Sequence, residues 1–136
     1  MGLAEKKAAR EFQTNRFESL KKQIDKEAGF EVDVEVNWET LQVEKYSHLF
    51  DETWPKVYFH PLIKALKEMC SEDFAQEAVQ EGLKKVVIQN YSDNHNSDRF
   101  ATFKNGVLTL NHSPIFNVDQ IDDRAHNIQT VVEKEL

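Results

Sequence analysis

Asp93, His95 and Asp98 lie within one polar stretch, NYSDNHNSDRF (90–100), and His112 follows a short way along the chain. Carboxylates and imidazoles are ligands for divalent metals, and a metal-bound water is a nucleophile at neutral pH. These four residues are therefore the candidate ligands of a metal-assisted hydrolase, provided that a loop and the open end of a hairpin bring them together. As a calcium loop the stretch fails: counted from Asp93, position six is Asp98 rather than glycine and position twelve is Lys104 rather than glutamate. Its composition is equally that of a turn-forming connection with no chemistry at all.

A second group of acids is more regular. In FEVDVEVNWETL (30–41), Phe30, Val32, Val34, Val36 and Trp38 alternate with Glu31, Asp33, Glu35, Asn37 and Glu39. Period-two alternation implies a strand with one face on the core and one in water, so the acids share the wet face. Neighbouring carboxylates about 7 Å apart on such a face repel by roughly 0.6 kcal/mol in water. That cost is small enough for a merely solubilising face, and Lys84, Lys104 or Arg99 on adjacent strands would reduce it further. The same row would also dock a basic protein. A flat row suits calcium poorly, because that ion needs six to eight convergent oxygens.

Trp54, Tyr58 and Phe59 concentrate in ETWPKVYFHPL (52–62), where two prolines are expected to interrupt regular structure and leave rings available as interface anchors. The alternative is that they plug the core. His48 and His126 stand one helical turn from acids, an ordinary surface arrangement, and His60 precedes Pro61 near a helix start. Cys70 falls on an apolar helical stripe as a small hydrophobe. The chain contains no Walker A, GxGxxG, GxSxG or HExxH sequence, so phosphoryl transfer and dinucleotide chemistry are not expected and no cofactor is implied.

Composition bounds the rest. The 136 residues carry a net charge of −7, with 40% hydrophobic and 30% charged residues and a single cysteine. This describes a globular chain without an intrachain disulfide and with a core large enough to need none. The charge opposes direct nucleic-acid binding, which requires a concentrated basic surface. Residues 29–53 alone contribute a net −6. No apolar run is long enough to span a membrane, and the charged N-terminus is unlike a secretory signal, so the cytoplasm is the expected compartment.

The elements that must position these residues follow from periodicity. Residues 1–14 are helix-prone and expected to be a separately packed or frayed N-terminal helix in a single domain, 1–136, with a break near Thr14. Asn15 and Glu18 resemble a capping box for a helix with Phe17, Leu20, Ile24 and Ala28 on one face and Gly29 as its stop. Further helices are expected from Pro61, from Ser71 or Asp73, and from Asp119, the last with Ile121, Ala125, Ile128, Val132 and Leu136 inward. KKVVIQNY (84–91) reads as a central strand. Asn105-Gly106 predicts a type I′ hairpin that pairs Phe103 with Leu108 and Ala101 with Leu110. The order α-β-α-α-β-β-β-α is then that of an α+β, two-layer domain: a four-stranded, mostly antiparallel sheet with helices on one face.

The function these features favour is a non-catalytic acidic interaction domain that binds a basic partner protein, of inhibitor, immunity or adaptor type. Its binding residues would be Glu31, Asp33, Glu35, Glu39, Trp54, Tyr58 and Phe59. The metal-assisted hydrolase is the alternative.

Overall fold

Alternating burial along each strand sets a two-layer α+β fold. A computed structural model describes residues 2–136. Helix α1 (Leu3–Phe12) continues through a π-helical turn (Gln13–Phe17) into α2 (Glu18–Ala28), which ends at Gly29 in the left-handed region with φ 82°. Strand β1 (Val34–Val36) and a short helix α3 (Trp38–Leu41) follow. Then α4 (Phe50–Trp54) runs through a second π-helical turn (Pro55–Phe59) into α5 (His60–Met69), and α6 spans Asp73–Gly82. Strands β2 (Lys85–Gln89), β3 (Ala101–Lys104) and β4 (Val107–Asn111) precede the final helix α7 (Ile121–Glu135).

Among the described residues the four strands form one sheet in the order β1-β2-β4-β3. The sheet is mixed, not mostly antiparallel: β1, β2 and β4 run parallel, and only the β3–β4 hairpin is antiparallel. The reason lies in the connections. The helices between β1 and β2 return the chain to the same end of the sheet, and the 90–100 loop carries it past the β4 position to the far edge. The hairpin itself forms as its sequence requires, with positive φ at Asn105 and Gly106 and the register Phe103↔Leu108, Ala101↔Leu110.

Val86, Ile88, Ala101, Leu108 and Leu110 are buried under the helices in a core shared with Ile24, Leu62, Leu66, Ile128 and Val132. Glu35, Lys85, Val87, Thr102 and Lys104 lie on the open face.

Two expected helix starts are not helix starts. Asn15 lies inside the π-helical turn, and Pro61 lies inside a helix already running from Phe50. The first turn has a packing cause. Phe12 and Phe17 are five residues apart, which on an α-helix would separate them by about 140°. The π-helical turn lets both rings reach Trp38 and Phe59, with centroids 5.4–6.0 Å away.

The prolines are accommodated by arginines. Pro55 cannot donate to the Asp51 carbonyl, and Arg16 Nη1 donates to it instead at 3.2 Å while pairing with the Asp51 carboxylate at 2.8 Å. Pro61 cannot donate to the Val57 carbonyl, and Arg124 Nε does so at 3.1 Å.

Candidate functional site

The acidic row occupies one edge of the sheet. Strand β1 is shorter than its alternating sequence, because Phe30–Asp33 approach irregularly and Trp38 already begins α3. The alternation nevertheless holds: Val32 is buried while Glu31, Asp33 and Glu35 are exposed. Asp25 of α2 accepts the Val32 N–H at 2.9 Å, and the Asp33 carbonyl accepts the Val86 N–H at 2.8 Å, so the row is tied to both layers.

Glu35 is neutralised across the sheet by Lys85, at 2.9 Å, rather than by Lys84, Lys104 or Arg99. The hydrogen bond that the Lys85 ammonium donates to that carboxylate holds it above the usual lysine range, with a smaller push from Asp33. Glu31 and Asp33 have no ion-pair partner among the described residues. Glu39 leaves the row, since α3 turns it toward the carboxyl end of the sheet.

Trp54, Tyr58 and Phe59 are fully buried and cannot anchor a partner. The break expected at the prolines does not occur, so the helix carries all three into the core. Trp54 stacks on Phe50 at 4.5 Å and meets Phe12 edge-on at 5.1 Å. Tyr58 donates its hydroxyl to the His112 carbonyl, and burial raises its pKa well above the ordinary phenol value, so it serves as a neutral donor.

The four candidate metal ligands do not converge. Among the described residues, no three His, Cys, Asp or Glu side chains are arranged to hold a metal ion. Asp93 and His95 face each other at 3.2 Å on the surface, and the His95 ring stacks on Phe116 at 3.9 Å. Asp98 is exposed, its N–H donating to Asn96 Oδ1 at 2.8 Å in a short 3₁₀ turn. His112 is buried, with Nδ1 2.6 Å from the Ser113 carbonyl and its ring close to the His95 main chain. The loop itself is pinned by Asn94, whose side-chain amide donates to the carbonyls of Asn96, Arg99 and Asn111.

Burial pulls the pKa of His112 below its ordinary 6.5, opposed by the Ser113 carbonyl. The unfolded chain therefore takes up this proton at a higher pH than the folded one. Stability at neutral pH should fall as pH drops below about 6.5, by at most about 1.4 kcal/mol per pH unit. Burial, Arg16 and Lys56 shift His60 in the same direction, so wild type must be compared with His112→Asn. Urea unfolding at pH 7.5 and pH 5 should show a smaller loss in the variant; equal losses would remove His112 as a cause.

The feature invisible in the sequence is a cleft of about 470 Å³ at the carboxyl ends of β1 and β2, lined by residues that include Gln13, Trp38, Glu39 and Tyr91. Its existence depends on β1 and β2 being parallel and adjacent, which no local pattern signalled. Comparisons of the chain with protein-family models, with curated proteins and with solved structures give no match, so its own surface has to carry the functional reading.

Proposed function

We propose that this is a non-catalytic, acidic, cytoplasmic interaction domain that binds a basic protein, as an inhibitor, immunity protein or adaptor would. The observation that carries the reading is the exposed pair Glu31 and Asp33, without ion-pair partners among the described residues on the approach to the edge strand β1, in the segment with the greatest acidic excess. Unpaired acids at an edge strand produce a local negative field that accelerates encounter with a positive surface. They also discourage edge-to-edge association between copies of the domain. Glu35 contributes less, because Lys85 already neutralises it.

Affinity capture with wild type and with the Glu31/Asp33/Glu35→Lys variant tests the reading. The variant should associate with its basic partner at least about tenfold more slowly at low salt, and the difference should shrink as salt rises. A captured protein whose retention is indifferent to both the variant and the salt would remove the acidic row from the function.

A further inference from the structure

Strands β1 and β2 are parallel, so the chain leaves both at the same end of the sheet, into Asn37–Gln42 and into Asn90–Tyr91. The two exits leave a space between them there. Here the space is the 470 Å³ cleft, closed on its third side by Gln13 of the first π-helical turn, and π-helical turns recur at functional sites.

Its lining has a definite chemistry. Trp38 is held by Phe12, Phe17 and Trp54, at 5.8, 5.4 and 5.7 Å, so its indole is a fixed wall. Tyr91 is 52% exposed and is followed by two residues with positive φ, Ser92 and Asp93, while its N–H is fastened to Asn111 Oδ1 at 2.7 Å. Gln42 also lines the cleft but is only 9% exposed, and its Oε1 has no accessible surface, so it does not present an acceptor there. The Asn37 amide N–H is already committed to Gln89 at 3.2 Å, leaving its oxygen as the free end. Glu39 has no ion-pair partner among the described residues, and no Lys, Arg or His lines the cleft.

Two aromatic rings, one carboxylate, a free amide oxygen and no cation form a poor site for a phosphate or a carboxylate and a good one for a flat organic cation. A guanidinium presents five donors in a plane and stacks on aromatic faces. We propose that the cleft receives an arginine side chain of the basic partner, with the guanidinium against Tyr91 and Trp38, paired with Glu39 and donating to Asn37. This rests on the partner reading above and adds where the partner is gripped.

The full chain is titrated with N-acetyl-arginine amide, following Trp38 by NMR, with glucose and inorganic phosphate as comparisons. Saturable binding of the arginine amide alone, weakened at least about fivefold by Glu39→Gln and by Tyr91→Ala, is the expected result. Both positions are exposed, and circular dichroism checks that each variant is folded. Absence of saturable binding, equal binding of glucose, or affinity indifferent to both substitutions would overturn the cleft assignment. Capture separates this from the broader reading. A basic protein lost by the Glu31/Asp33/Glu35→Lys variant but held normally by Glu39→Gln and Tyr91→Ala would discard the cleft and keep the partner. Arginine amide binding with no basic protein captured at all would overturn the arginine of a partner as its occupant.

Discussion

Replacing Arg124 by methionine should cost about 3–5 kcal/mol of stability, lowering the thermal midpoint by about 10–20 °C. Arg124 is fully buried and is held by neutral groups: no carboxylate lies within ion-pair distance among the described residues. Nε donates to the Val57 carbonyl at 3.1 Å. Nη2 donates to the carbonyls of Lys56 at 3.2 Å and Val118 at 2.7 Å. Nη1 donates to the Asn117 carbonyl at 2.7 Å and to Ser97 Oγ at 3.4 Å. One guanidinium thus ties the second π-helical turn, the 3₁₀ turn before β3 and the approach to α7 to one another.

Burial lowers its pKa to about 10, partly offset by Tyr58 and the nearby acids, so it is still charged at neutral pH. Methionine would relieve the buried charge but strand four main-chain carbonyls, each costing about 1–3 kcal/mol when left dry. The carbonyl losses outweigh the relief, because the shorter methionine ends near the position of Nε and offers a donor to none of the four. Arg124→Lys discriminates between charge and geometry. A lysine keeps the charge but has three donors on one atom and cannot reach both sides of the fork. Urea unfolding should place Arg124→Lys nearer to methionine than to wild type; a lysine variant within about 1 kcal/mol of wild type would show that charge, not the fork, is what matters.

Phe12→Ala should cost about 3–4 kcal/mol. Phe12 is 2% exposed, with ring centroids 5.1 Å from Trp54, 5.8 Å from Trp38 and 6.0 Å from Phe59. Removing the ring takes apolar area from the core and leaves a void between two tryptophans that stay fixed by other neighbours. The measurement also decides how the N-terminal helix behaves. A separately packed or frayed helix over residues 1–14 would make the substitution nearly neutral, below about 0.5 kcal/mol, as for a surface position. Phe12→Leu, which refills most of the volume, should recover more than half of the loss. Tryptophan emission should shift to longer wavelength in Phe12→Ala under native conditions, since Trp38 lines the open cleft.

What could be read from the sequence was what depends on near neighbours. Asn105-Gly106 defines its hairpin register, because two consecutive positive-φ residues admit few other turns. Gly29 stops α2 for the same local reason, and the alternation from Phe30 to Glu35 placed the valines inward and the acids outward before any contact was known. The buried stripe of α7 through Ala125, Ile128 and Val132 was likewise present in its spacing, but Ile121 is only half-buried and Leu136, expected inward, is exposed where the helix ends.

The prolines show where local reasoning ends. Pro55 and Pro61 lack donors, and sequence rules accordingly break the chain near them. The chain passes Pro55 as a π-helical turn, and Arg16 and Arg124, 35 and 67 residues from the carbonyls of Asp51 and Val57, supply N–H groups to them. The uninterrupted run from Phe50 to Met69 keeps Trp54, Tyr58 and Phe59 in the core and removes them as anchors. The parallel pairing of β1 with β2 is of the same kind, since strand direction is decided by how the intervening helices pack and not by the strands' own residues. The acidic row was therefore determined by the sequence itself, through side-chain period. The cleft beside it was decided by tertiary structure, because its walls come from three distant segments that only packing brings to one end of the sheet.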